Sequence, residues 1–325
     1  MGERNGATKM CLLFQIILFV ISVTFIDSYK LLAVFPYFGK SHFVTFQPYL
    51  EELANRGHEL VVVSHFPRDT PLKNYKDISL EGSMPIEGID SESLIELDGR
   101  TQFRVAYNLA SLGHRTCDSI LALLQVQKLL NSDEKFDLFI SELFNADCFL
   151  GIALKFKIPV VVWSSCPLMP WASGRIGNVD NPAFTPIMFS EFGVRMNFME
   201  RLMNALFYIV HRVRYYSLFE EDGDRILRRH LGNYLPSLAE LAKNTSIIFV
   251  NTHFSVHGAR SQVPGVIEVG GVHIKKDHPL PQVRKINKLK YSNCYLNTCG
   301  NATIHGAICS YFFLEKLWHS SLVLY

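Results

Sequence analysis

KLLAVFPYFGKSHFVTFQPYLEELANRGHELVVVS, running from Lys30 to Ser64, is the stretch that decides the fold. Leu31 to Phe35 is an unbroken apolar run, the pattern of a strand buried on both faces of a parallel sheet. Pro36 to Lys40 reads as a turn containing Gly39. Ser41 stands where a helix N-cap is expected. Phe43, Phe46, Leu50, Leu53 and Ala54 then fall on one stripe at helical spacing. Arg56 and Gly57 close that helix, and Glu59 to Ser64, ELVVVS, is the next buried strand. A strand, a helix and a second parallel strand in this order demand a right-handed crossover.

Working outward, the alternation continues. Ile120 to Leu130 is apolar at helical spacing, Asp137 to Ser141 is a short strand, and an apolar helix is expected from about Asp147 to Phe156. Ile158 to Trp163 is another apolar strand. A segment rich in Met, Phe, Tyr and Arg, Met188 to Leu231, reads as helical. Ser246 to Asn251 and Val266 to Val269 read as the last strands. Strands and helices alternating at these lengths specify an α/β domain with a doubly wound, mostly parallel sheet. From about Val283 the periodicity fades, and the apolar piece from Ile304 to Tyr325 is broken by Glu315, Lys316 and His319, so no membrane span is expected there.

The 325 residues suffice for one large domain or two small ones, and 48% hydrophobic against 19% charged residues fits a globular core. A net charge of +2 argues against a nucleic-acid partner, and Arg225, Arg228 and Arg229 read as the solvated face of a helix. Arg4 and Lys9, the apolar run from Met10 to Phe25 and the polar Asp27 and Ser28 have the order of a cleavable secretory signal peptide, which implies the endoplasmic reticulum lumen or beyond. On that assignment Asn244-Thr245-Ser246 and Asn301-Ala302-Thr303 are glycosylation sequons. The seven cysteines show no metal-ligand spacing; Cys148 and Cys166 read as small buried hydrophobes, and any disulfide pairing stays open.

Several segments in fixed order carry a resemblance: Lys30 to Ser64, FDLFISELFNADCFLGIALKFKIPVV from Phe136 to Val161, NPAFTP from Asn181, MNFMERLMN from Met196, FVNTHFSV from Phe249, PGVIEVGGVHI from Pro264, and LPQ ending at Gln282. Together they resemble the animal UDP-glycosyltransferases, the insect members most closely. The resemblance implies the GT-B arrangement, in which two Rossmann-like domains face each other across a cleft. The N-terminal one binds the acceptor and the C-terminal one binds the UDP-sugar around a His-Gly-Gly signature. That signature does not occur here, since Ala307 and Ile308 follow His305-Gly306. The expectation is therefore a signal peptide over 1–28, an acceptor-binding domain over 29–282 and a divergent tail over 283–325, with the donor domain absent. The implied activity is transfer of a hexose from a UDP-sugar co-substrate to a small lipophilic acceptor, with no tightly bound cofactor and no metal. The alternative is a non-catalytic lipophile-binding chain that pairs with and regulates a full-length relative. A serine hydrolase is disfavoured, because no GxSxG elbow is present.

Sugar transfer to a hydroxyl needs a base near the acceptor oxygen, and histidine suits that task. His42 sits in the first turn after the first strand, at the carboxyl edge where open α/β sheets bind ligands. It matches the family's catalytic Ser-His sequence, although by position alone it reads more readily as a surface histidine at a helix start. Two carboxylates compete for the place behind it. Glu142 ends the strand, in the family's aspartate position; Asp147 starts the next helix and has the shorter, stiffer side chain, which favours it slightly. His58, His253 and His273 read as strand-start, core or rim residues, and Gly270-Gly271 matches no phosphate loop. The apolar segment from Ile187 to Phe219 admits three uses: lining an acceptor pocket, contacting a membrane surface, or plain core packing.

Overall fold

The computed structural model describes residues 28–84, 101–145, 147–178, 180–188, 190–215 and 221–274. The expected signal peptide, the divergent tail and the sequon at Asn301 lie outside them. Seven strands form one sheet: β1 (Lys30–Phe35), β2 (Glu59–Ser64), β3 (Tyr75–Ser79), β4 (Leu138–Glu142), β5 (Val160–Ser164), β6 (Thr245–Val250) and β7 (Val266–Glu268). Their order is β3-β2-β1-β4-β5-β6-β7, and every pairing is parallel. The helices are α1 (Lys40–Asn55), α2 (Thr101–Leu121), α3 (Leu124–Leu130), α4 (Leu150–Phe156), α5 (Phe198–Arg214), α6 (Glu221–Leu231), α7 (Leu238–Lys243) and α8 (Phe254–His257).

The chain winds outward from β1 to β3, then returns to the other side of β1 with β4 and winds the opposite way. This is the doubly wound α/β fold expected from the apolar runs. In open α/β sheets ligands bind at the carboxyl ends of the strands beside such a reversal, which here falls between β1 and β4.

Alternation along β1 divides two cores. Leu31, Ala33 and Phe35 face α1 and pack with its Phe43, Phe46, Leu50 and Ala54. Leu32 and Val34 face the opposite way, into a larger core shared with Ile120, Ile152 and Leu227 of α2, α4 and α6. A period of two puts neighbours on opposite faces, and burial of each such side chain is worth about 1.5–3 kcal/mol. Gly57, at φ +97° just past Arg56, stops α1 as its sequence foretold.

Four local features differ from the sequence expectations. Helix α1 begins one residue before Ser41: Gly39 is its N-cap, and the Gly39 carbonyl already accepts from the amides of His42 and Phe43. The Ile120 to Leu130 stripe splits, because Leu123 is extended (ψ 137°) between α2 and α3. The Met188 to Leu231 segment is helical only from Phe198, where Asn197 and Glu200 form a reciprocal capping box that fixes the start. Strand β3, YKDIS, escaped notice because its half-buried alternation is weak; as an edge strand it carries Lys76 and Asp77, which discourages further pairing.

Candidate active site

Three parallel strands deliver three polar side chains to one point. His42 is the third residue of α1, reached from β1 through the turn at Gly39. Glu142 is the last residue of β4. Ser165 follows β5 directly. Since β1, β4 and β5 are neighbours, all three lie at the carboxyl edge beside the reversal of strand order.

The contacts close a triangle. Nδ1 of His42 bonds Oε1 of Glu142. The Ser165 hydroxyl donates to the same Oε1 at 2.8 Å, and its oxygen lies 2.8 Å from Nδ1 of His42. The hydroxyl proton is committed to the carboxylate, so Nδ1 must be the donor in both of its contacts. That places a ring proton on Nδ1, and in the neutral imidazole the lone pair is then on Nε2. No described residue hydrogen-bonds Nε2. The Glu142 side chain is 1% exposed and that of His42 10%. A carboxylate buried to that degree needs donors, and the two here supply them. Tyr37 and Phe144 pack on the imidazole at ring distances of 4.3 and 4.8 Å and hold its plane.

Asp147 is not part of this triangle, and the slight preference for it over Glu142 as the neighbour of His42 is corrected. It lies in a 3-10 turn, Asp147–Phe149, where both of its oxygens are taken by the buried guanidinium of Arg175, Oδ1 from Nη1 at 2.8 Å and Oδ2 from Nη2. Arg175 also donates to the Tyr215 hydroxyl at 3.0 Å, and the Tyr215 ring stacks on Trp171 at 4.8 Å. A buried guanidinium demands a counter-charge, and Asp147 supplies it.

Cys148 is not a plain buried hydrophobe. It forms a disulfide with Cys117, tying the Asp147 turn to α2 with a Cα–Cα distance of 6.2 Å. Cys166 is free, and burial pushes its thiol up to about 12, so it is no nucleophile at neutral pH. Sequence reasoning also missed Ser165 and Arg175. The one available signal for Ser165 was a Ser-Ser pair closing a wholly apolar strand at the carboxyl edge.

The remaining candidates have structural places. His253 caps α8 and shares a hydrogen bond with Ser255. Gly270 lies so close to the Thr252 carbonyl that a Cβ would collide with it, and Gly271 has φ +86°, which accounts for the glycine pair as a tight turn. Among the described residues no three His, Cys, Asp or Glu side chains converge as metal ligands would, and no helix is long and apolar enough to cross a membrane.

A family model described as UDP-glucoronosyl and UDP-glucosyl transferase matches residues 89–289. The chain belongs to that family. UDP-glucosyltransferase 2 of Dactylopius coccus is 35% identical over 269 residues, covering 81% of this chain and 51% of the relative. UDP-glycosyltransferase UGT5 of the same insect is 34% identical, covering 81% and 50%. The mouse 2-hydroxyacylsphingosine 1-beta-galactosyltransferase is 28% identical, covering 78% and 47%. The chain thus spans about half the length of the curated relatives it matches. Among solved structures, Medicago truncatula UGT71G1 complexed with UDP-glucose aligns at 15% identity and a TM-score of 0.38 over 82% of this chain and 57% of that one. That likeness is loose, and the fold of this family member rests on its own strand order.

Proposed function

We propose that residues 29–282 form the acceptor-binding domain of a UDP-sugar-dependent hexosyltransferase and that His42 is its general base. The observation that carries the proposal is the buried His42–Glu142–Ser165 triangle at the strand-order reversal of a UDP-glucoronosyl and UDP-glucosyl transferase family member. Nε2 accepts the proton of the acceptor hydroxyl. The oxygen then attacks the anomeric carbon of the UDP-sugar from the face opposite UDP, a new glycosidic bond forms, the bond to UDP breaks, and the configuration inverts. Glu142 holds the reactive tautomer and stabilises the imidazolium that results. The acceptor is a small lipophilic hydroxyl compound. The compartment is the secretory lumen, a reading supported by the Cys117–Cys148 disulfide and by the exposed sequon asparagine Asn244.

The test is transfer from UDP-glucose to a panel of phenols and lipophilic alcohols. It is run with the chain itself and with the chain continued by the C-terminal half of the Dactylopius coccus UDP-glucosyltransferase 2. Turnover in the continued protein that falls about 10²–10⁴-fold in His42→Ala supports the base; turnover unaffected by that change removes it. Because the chain spans about half the length of its relatives, a second role is a non-catalytic lipophile-binding partner that regulates a full-length transferase. Acceptor binding by the chain alone, without turnover in either format, favours that role.

A further inference from the structure

The transfer chemistry gives Ser165 no step, yet its place is closely held. Ser164 and Ser165 are both fully buried. Asn251, one residue past β6, clamps the pair from the neighbouring strand. Its backbone amide donates to the Ser164 carbonyl at 3.0 Å, and its side-chain Nδ2 donates to the Ser165 carbonyl at 3.0 Å. The Ser164 hydroxyl closes the turn on the Cys166 carbonyl at 2.7 Å. The Ser165 hydroxyl is thereby delivered to Oε1 of Glu142 and Nδ1 of His42, 2.8 Å from each. A serine, a histidine and a carboxylate are also the parts of a hydrolytic triad, but there the serine sits on one ring nitrogen and the acid on the other. Here both meet Nδ1, and the serine proton goes to the carboxylate. The ring therefore takes no proton from Ser165, and the hydroxyl is not an activated nucleophile.

What the hydroxyl does follows from its having two neighbours. A glutamate has three rotatable side-chain bonds, so its carboxylate keeps one place only where contacts fix it. The Ser165 O–H fixes Oε1. The imidazole has two orientations of its own, related by a half-turn about Cβ–Cγ that exchanges Nδ1 with the carbon Cδ2. With Glu142 as the only acceptor, that half-turn would give up one hydrogen bond. With the Ser165 oxygen alongside, it would set a carbon against two oxygens and give up two. We infer that Ser165 is a positioning residue. It holds the Glu142 carboxylate and the His42 ring in the one mutual orientation that keeps a proton on Nδ1 and leaves Nε2 to accept the proton of the acceptor hydroxyl. Its part in turnover rests on the reading of His42 as the general base. Its hold on the ring is a property of the chain alone and is read without substrate.

The experiment pairs spectroscopy of the whole chain with the transfer assay. Histidine labelled with ¹⁵N in the ring reports, through two-bond proton–nitrogen spectra, which nitrogen of His42 carries the proton; the signals are assigned by their loss in His42→Ala. Expected in wild type is a low-field Nδ1 proton and, in the neutral ring, the Nδ1–H tautomer alone. In Ser165→Ala that proton should move and exchange with water at least about ten-fold faster, and the Nε2–H tautomer should become detectable. Ser165→Thr, which keeps the hydroxyl, should retain the wild-type pattern, whereas Ser165→Cys, similar in size but a weak donor, should resemble Ser165→Ala. Unchanged amide signals away from the site show that the variants remain folded. In the continued transferase Ser165→Ala should lower kcat about 10–100-fold, the loss of a hydrogen bond to a charged group, with acceptor KM within about two-fold. A Ser165→Ala ring spectrum that coincides with wild type in position and exchange overturns the inference, whatever the turnover. So does an unchanged kcat in a protein that His42→Ala inactivates. Turnover that survives His42→Ala sinks the general-base reading instead, and the spectra tell the two failures apart.

Discussion

The carboxylate of Glu142, at the end of β4, lies against Nδ1 of His42 in the first turn of α1, although 100 residues of chain separate the two. A neutral amide there would present its NH₂ group or its carbonyl with equal ease, and could not stabilise a positive ring. In the transfer assay above, Glu142→Gln is therefore expected to lower kcat by about 10²–10⁴-fold with little change in acceptor KM. Proton NMR of the folded chain should show a low-field His42 Nδ1 proton that moves or disappears in Glu142→Gln. Equal kcat in the variant would show that the pair is only structural.

The reach of sequence reasoning follows from what patterns can encode. The β1-α1-β2 unit was legible because a five-residue apolar run between turns has few other uses, and the stripe Phe43, Phe46, Leu50 and Ala54 does go into the core. Placing His42 at the carboxyl edge needed only strand direction. Choosing between Glu142 and Asp147 needed more: one ends the strand and the other lies five residues on, and nothing in their spacing says which turns toward α1. The register does. Val34 pairs with Ser141, so Glu142 is the first residue of β4 to stand level with the end of β1. Arg175 was invisible because its partner lies 28 residues away across an irregular loop, and the Cys117–Cys148 pair because it depends on how α2 packs against the turn after β4.

Asp147 and Arg175 separate stability from chemistry. Truncation of Arg175 to Ala leaves a buried carboxylate without its partner, and should cost about 3–5 kcal/mol in chemical denaturation. Replacing both together, Asp147→Leu with Arg175→Met, should cost much less than the sum of the single changes, because no uncompensated charge remains. Asp147→Asn should lower stability yet leave turnover of the surviving folded protein within about ten-fold of wild type, in contrast to Glu142→Gln. A turnover loss in Asp147→Asn as large as that in Glu142→Gln would return Asp147 to the site.

The Cys117–Cys148 bond closes a loop of 31 residues. In the chain-entropy account such a cross-link stabilises by about 3–4 kcal/mol. The Cys117→Ser/Cys148→Ser variant should unfold at correspondingly lower urea concentration, and dithiothreitol should shift wild type toward the variant while leaving the variant unmoved. Since the bond pins the turn that carries Asp147, hydrogen exchange in residues 147–156 should quicken on reduction. Coincident wild-type and variant denaturation curves would show that the cross-link contributes nothing to the folded state.

His211 gives the fold an acid-side weakness. It is buried under α5, and desolvation lowers its pKa to about 4, against 6.5 for an ordinary histidine. The depressed value means that the unfolded chain binds this proton first as pH falls. Folding stability is thus intact above pH 6.5, is lost progressively between 6.5 and about 4, and levels off below that. The shift of about 2.5 units corresponds to a loss on the order of 3 kcal/mol across the window. Burial lowers His65, His257 and His273 as well, so wild type titrates with several groups of the same sign. The difference between wild type and His211→Gln isolates one of them: the variant should lose less stability from pH 7 to pH 4, by roughly the amount just given. Parallel stability curves for the two proteins through that range would mean that His211 is protonated in the folded state as readily as in the unfolded one, and that α5 does not shield it from water.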